Sequence, residues 1–218
     1  MRVLLLGATG LVGRHVLERA LADPRVTEVT APGRRALPPH PKLRAPLVDF
    51  EALPEAASWW QADAALCAFG TTMRVAGSEE AFRRIDHGYP LAAARLARAH
   101  GTPCFVLNSA LGANPASRFF YPRVKGELEH AIERLGFPSL TLVRPGLIGG
   151  QRAQPRLGEQ IAARVFGALD PILPASLRIA PADTIARVML DSARAALPGC
   201  HVASLHGEKR TPAGRTRP

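Results

Sequence analysis

Tyr121 and Lys125 stand four residues apart in the run Tyr121-Pro122-Arg123-Val124-Lys125. On a helix that spacing puts both side chains on one face. An ammonium beside a phenol favours the phenolate and lowers the tyrosine pKa from its usual value near ~10. Such a pair suits general acid–base work near neutral pH. Ser109 lies twelve residues upstream, where its hydroxyl could hold a carbonyl oxygen next to Tyr121. The plainer alternative is a helix-start tyrosine beside a surface lysine.

A second set of residues suits a phosphate. Gly7-Ala8-Thr9-Gly10-Leu11-Val12-Gly13 lies between an apolar run and a helical pattern. Glycines let a backbone turn tightly and approach a pyrophosphate, and a helix N-terminus offers free N–H groups and partial positive charge. The strand before and the helix after give the glycine spacing its meaning as a dinucleotide site. After the next apolar run comes Thr30-Ala31-Pro32-Gly33-Arg34-Arg35. NAD sites usually carry an acid there for the ribose 2′-hydroxyl. Two guanidiniums instead fit a 2′-phosphate, so the expected cofactor is NADP(H), with NAD(H) second; two solvated arginines are the alternative. Asp49-Phe50 could meet the adenine edge, although Asp49 also reads as a plain loop acid.

These residues need a scaffold, and the apolar pattern supplies one. Strands are expected at Arg2–Leu6, Val26–Ala31, Leu43–Val48, Ala64–Phe69, Cys104–Leu107, Leu140–Val143 and, later, Cys200–Ser204. Helical periodicity runs over Gly10–Leu21, weakly over Glu51–Trp60, from a Ser78 cap to about His100, over Tyr121–Leu135, and over Arg156–Ala168 and Pro181–Ala195. Continuous apolar strands alternating with helices imply an α/β fold, a Rossmann-type doubly wound parallel sheet with helices on both faces. Ligands of such sheets sit at the carboxyl ends of the strands, which is where the residues named above fall. One domain is expected over residues 1–206, with substrate-side segments mainly in 146–206 and a basic, mobile tail from 207 to 218. The apolar stretch Ile161–Leu173 would roof a substrate pocket or pack in the core.

Composition narrows the classes. The chain has 218 residues, 47% hydrophobic and 21% charged, an ordinary globular balance. Its formal net charge is +10, but the arginines are scattered and no aromatic–basic interleaving accompanies them, so no nucleic-acid partner is expected. No apolar run reaches the ~18–20 residues of a membrane span, and Val3–Leu6 is too short for a secretory signal; a cytoplasmic protein is expected. Cys67, Cys104 and Cys200 lack metal-ligand spacing, so no metal site is expected. Trp59-Trp60 reads as a core anchor or a partner patch, and His87 and His100 as surface or helix-end residues.

Together the motifs resemble the short-chain dehydrogenase/reductase superfamily, in its atypical branch with a Gly-x-x-Gly-x-x-Gly turn. Gly33-Arg34-Arg35, Val48-Asp49-Phe50, Phe69-Gly70-Thr71-Thr72, Tyr121 to Glu127 and Val143-Arg144-Pro145-Gly146, in that order, look like the Tat-interacting oxidoreductase-like proteins of animals and their bacterial relatives. The resemblance covers roughly residues 1–195. It implies that Gly7, Thr9, Gly10, Leu11 and Val12 cradle a pyrophosphate, Gly13 completing the turn. Arg34 and Arg35 would take the adenosine phosphate, with Asp49 and Phe50 at the adenine. Phe69, Gly70 and Thr71 would line the ribose and nicotinamide side, Lys125 the nicotinamide ribose, and Pro145 with Gly146 the nicotinamide. It also implies a Ser109–Tyr121–Lys125 triad. Many members place an asparagine on the fourth helix, where this chain offers Asp86. A homodimer through the long fourth and fifth helices would fit the superfamily.

Three activities are compatible with this reading. The first is an NADPH-dependent reductase of a small carbonyl substrate, with Tyr121 donating the proton. The second is a non-catalytic NADP(H)-binding regulator or adaptor. The third, epimerase or dehydratase chemistry on a nucleotide sugar, needs a larger carboxyl-terminal lobe than this chain offers.

Overall fold

A computed structural model describes residues 1–149 and 179–205. The expected helix at 156–168, the apolar stretch 161–173 and the tail from 207 lie outside the described residues.

Seven strands form one wholly parallel sheet: β1 (Arg2–Leu6), β2 (Glu28–Thr30), β3 (Leu43–Arg44), β4 (Ala64–Cys67), β5 (Cys104–Asn108), β6 (Ser139–Pro145) and, after a separate pair β7 (Leu147–Gly149) and β8 (Ile179–Pro181), β9 (Gly199–Leu205). Their order is β3-β2-β1-β4-β5-β6-β9. The chain therefore runs outward in one direction from β1 and in the other from β4, and the β1/β4 boundary is the switch point outside which such sheets bind ligands. The fold is Rossmann-like, as the alternation of strands and helices implies.

Strand periodicity divides the core in two. Val3 and Leu5 of β1 join the cluster beneath α1 (Leu11–Ala22) and α6 (Ala182–Ala195), while Leu4 and Leu6 join the opposite cluster beneath α4 (Tyr89–Ala99) and α5 (Phe120–Glu133). Alternate residues of one strand feed opposite faces, so a run that looks uniformly apolar in sequence serves two cores. Arg19 of α1 grips Asp183 of α6 at 2.7 and 2.6 Å, and Arg194 reaches Asp23 at 2.8 Å.

Three elements differ from expectation. The segment from Glu51 to Trp60 is not a helix: Pro54 interrupts it, and only Ser58–Trp60 close a 3-10 turn. From that turn Trp60 is fully buried and donates from Nε1 to the Pro54 carbonyl at 2.8 Å, so it is a core anchor. β3 is shortened to two residues, with Pro46, which has no N–H to give a ladder, just beyond them. The helix capped by Ser78, whose Oγ accepts from Ala81 N–H at 3.1 Å, is not continuous. It consists of α3 (Glu79–Arg83), a π-helical turn (Arg84–Gly88) and α4, after a short α2 (Met73–Ala76).

Candidate functional site

The glycine turn sits at the switch point. β1 ends at Leu6, and Gly7 adopts φ +85° while its missing Cβ would lie 2.9 Å from the Ala68 carbonyl carbon. A larger residue there meets both strain and β4. Gly13 matters for a different reason. A Cβ on it would overlap the Gly7 carbonyl oxygen, so its lack of side chain lets α1 close onto the turn. Leu11, Val12 and Gly13 form the first helical turn, and Val12 turns its side chain into the core. Their contribution to a ligand is therefore backbone N–H. No side chain caps α1, which leaves those donors available to an anion.

A cleft opens over this turn. Gly7, Thr9 and Gly10 form its floor, and Arg34 and Arg35 one edge. Both arginines are exposed, and neither pairs with a carboxylate among the described residues. Phe69, Gly70 and Thr71 line the far side. Phe50 stands edge-on to Phe69 at 4.9 Å and stacks with Tyr89 at 5.6 Å between centroids, giving the cleft an aromatic wall. Asp49 is not on that wall; its carboxylate accepts the Glu51 N–H at 2.9 Å in a local turn.

Sequence reasoning missed Tyr89, Ile85 and Val75, which also line the cleft. Tyr89 carried a signal, since the chain has only two tyrosines. Its hydroxyl donates to Glu51 at 2.5 Å, and Glu51 also pairs with Arg84 at 3.2 Å.

Behind Thr71 lies a buried charge pair. The Thr71 N–H donates to Asp86 Oδ2 at 2.8 Å, and Asp86 Oδ1 meets Lys125 Nζ at 2.7 Å. The two charged side chains are only 1% and 4% exposed. Burial pushes the Lys125 pKa down, the Asp86 carboxylate pushes it up, and the net direction is up. Lys125 is thus held as a cation, but one that already has its counter-ion.

Tyr121 lies one turn before Lys125 and sets its ring edge-on to Phe82 at 5.8 Å. The sequence pattern implied a lowered tyrosine pKa; the structure reverses that. Tyr121 is 41% exposed; partial desolvation pushes its phenol up, Lys125 pulls it down and Asp86 pushes it up again, for a net rise. The two charges oppose one another, so desolvation decides the sign. The nearby Cys67 thiol at the end of β4 is pushed up to about 12, chiefly by complete burial, and is not a nucleophile.

Ser109 follows β5 and is held by its N–H to the Val143 carbonyl at 2.7 Å. Its Oγ is buried and has no hydrogen-bond partner among the described residues. Pro145 ends β6, with its carbonyl accepting the Leu111 N–H at 2.8 Å, and Gly146 follows. Ser109, Tyr121, Lys125, Pro145 and Gly146 are not on the cleft wall itself; Thr71 and Asp86 connect the wall to Lys125. Arg144 fixes α5 to β6 by gripping buried Glu129 at 3.0 and 2.5 Å. Among the described residues no helix is long and apolar enough to cross a membrane, and no group of His, Cys, Asp or Glu has the arrangement of a metal site.

No family model matches the chain. Comparison with individual proteins is decisive. Protein HTATIP2 of Rattus norvegicus is 39% identical over 195 residues, 87% of this chain and 80% of its own length. The mitochondrial protein fmp52 of Aspergillus fumigatus is 37% identical over 210 residues, 90% of this chain and 88% of its own length. The chain belongs to the HTATIP2–Fmp52 family. Solved structures agree with the Rossmann-like fold. MoeE5 in complex with UDP-glucuronic acid and NAD superposes with TM-score 0.73 at 16% identity, over 94% of this chain and 76% of that one. Human epimerase family protein SDR39U1 with NADPH gives 0.60 at 20% identity, over 94% and 73%.

Family membership also corrects the expected location. The fungal HTATIP2–Fmp52 relatives are named mitochondrial proteins, so the cytoplasmic expectation does not stand. It rested on a missing apolar leader, which bears on secretion; mitochondrial targeting uses amphipathic, arginine-rich segments instead.

Proposed function

We propose that the chain binds NADP(H) and reduces a small carbonyl compound to an alcohol. The observation that carries this reading is the link from Thr71 on the cleft wall, through Asp86, to Lys125, with Tyr121 one helical turn before that lysine. It joins a dinucleotide-shaped cleft to a phenolic proton donor. The uncapped N-terminus of α1 and the glycine turn fit a pyrophosphate, and Arg34 and Arg35, without carboxylate partners among the described residues, fit a 2′-phosphate. Solved relatives of the fold are complexes with NAD and with NADPH.

The cofactor, when bound, supplies a hydride equivalent to the carbonyl carbon. Tyr121 donates its phenolic proton to the carbonyl oxygen, and its raised pKa keeps that proton in place at neutral pH. Ser109, with a buried hydroxyl lacking a protein partner among the described residues, orients the same oxygen. Lys125 and Asp86 hold the Thr71 loop against the cleft.

A second reading, a non-catalytic NADP(H)-binding regulator, is favoured by one fact: the Lys125 charge is already matched by Asp86. The two are separated by titrating the protein with NADPH and NADH, then assaying a carbonyl panel. NADPH affinity falling about 10- to 100-fold in Arg34→Ala/Arg35→Ala, with NADH affinity unchanged, supports the 2′-phosphate site. Turnover abolished in Tyr121→Phe while NADPH binding persists supports the reductase. Binding without turnover of any carbonyl leaves the regulator, and no binding of either cofactor overturns both readings.

A further inference from the structure

Asp86 is a costly residue to keep where it is. Its carboxylate is buried and sits on a turn that is neither regular α-helix nor loop. Its two oxygens do separate things. Oδ2 accepts the Thr71 N–H and Oδ1 meets Lys125. The first could be served by an uncharged asparagine; only the second needs a negative charge.

The charge acts on Tyr121. Among the described residues, the groups around the phenol come from three elements. α5 brings Lys125, and the π-helical turn brings Asp86. α3 brings the apolar Phe82 ring. The Cys67 thiol of β4, neutral at working pH, lies by the Lys125–Asp86 pair. Arg83 and Glu127 flank them and neutralise each other at 2.7 Å. Lys125 and Asp86 are therefore the charges that decide the local field, and they lie in contact. A lysine in this position without a counter-ion would drive the phenol toward phenolate; paired at 2.7 Å it acts as half of a dipole.

We propose that Asp86 sets the ionisation of Tyr121 by neutralising Lys125, so that Tyr121 stays a protonated donor and does not become a phenolate base. Asp86 is a positioning residue acting through Lys125. The consequence for turnover rests on the reductase reading above: the chain favours carbonyl reduction, which consumes a phenolic proton, over alcohol oxidation, which needs a base. The ionisation itself does not rest on that reading and is measured without cofactor.

The chain has two tyrosines, so Tyr89→Phe leaves Tyr121 as the one phenol whose absorbance titrates with pH. In that background Asp86→Asn keeps an acceptor for the Thr71 N–H and removes the charge. The expected result is a Tyr121 midpoint lower by about one pH unit or more, the effect of an uncompensated cation one helical turn away. An unchanged or higher midpoint overturns the proposal. Near-ultraviolet circular dichroism over the same pH range confirms that the variant remains folded.

A second variant answers the question even if Asp86→Asn folds poorly. Asp86→Asn/Lys125→Met removes both charges together. A midpoint matching the parent supports a cancelled pair. A midpoint higher by about a unit means that Lys125 lowers the tyrosine despite Asp86, which overturns the proposal. Absence of turnover in every variant would remove the reductase reading and leave the titration result intact.

Discussion

Pro90 stands four residues after Asp86, and the carbonyl its ring would strike in an unbroken α-helix is that of Asp86. The π-helical turn resolves the conflict. Tyr89 N–H bonds to the Arg84 carbonyl, five residues back, and the extra residue swings Asp86 inward to Thr71 and Lys125. Single π turns of this kind recur at functional sites. Pro90→Ala restores the missing amide and allows α3 and α4 to merge, drawing Asp86 out of register. The Thr71 amide should then exchange its hydrogen about tenfold faster or more. Unchanged exchange would show that something other than Pro90 holds the turn.

Arg144 and Glu129 form the most buried ion pair between α5 and β6 among the described residues, with the Glu129 side chain 5% exposed. Removing one partner strands the other charge. Arg144→Met should cost about 3 kcal/mol or more in urea unfolding. Arg144→Met/Glu129→Leu, which removes both charges, should cost clearly less. Equal losses in the two variants would mean that packing, and not the charge, is what Arg144 provides.

Gly126 of α5 faces the Asn114–Pro115 backbone so closely that a Cβ would overlap it. That contact seats the loop whose Asn114 N–H reaches the Pro122 carbonyl at 3.0 Å, beside Tyr121. Gly126→Ala has to displace backbone, and an unfolding loss of about 1–3 kcal/mol is expected. A neutral result would show that the loop yields without cost.

Acid should destabilise the fold in two steps. Burial lowers the His87 pKa, with Glu127 opposing and Arg83 and Arg95 assisting. The unfolded chain then binds a proton more readily, so this contribution is present above the unfolded value near ~6.5 and is lost as pH falls below it. The Arg83 hydrogen bond lowers Glu127. Its contribution is present above the unfolded value near ~4.3 and is lost as pH falls through the lower folded value. Urea midpoints measured across this range should lose the upper step in His87→Gln and the lower one in Glu127→Gln. A profile identical to the parent in both variants would assign the acid sensitivity elsewhere.

Much of this protein is readable from sequence because it is local. A strand, a glycine turn and an amphipathic helix are written in consecutive residues, and their alternation implies the parallel sheet and where its ligand end lies. Gly7, Thr9 and Gly10, the arginines Arg34 and Arg35, and Phe50 meet at one cleft as their places after strands suggested. The four-residue spacing of Tyr121 and Lys125 likewise needs only helix geometry.

Tertiary structure decided how those groups behave. The partner of Lys125 lies 39 residues earlier in the chain, and nothing in the Tyr-x-x-x-Lys pattern reveals whether its charge is free. Pro90 read locally is a helix residue to be tolerated; in the fold it is buried and directly follows the π-helical turn that carries Asp86. Asp49, expected at the adenine, satisfies a local turn instead, and Tyr89 joins the cleft wall. Backbone form follows from neighbours in sequence, whereas the charge state of a side chain follows from neighbours in space, which only the packed fold brings together.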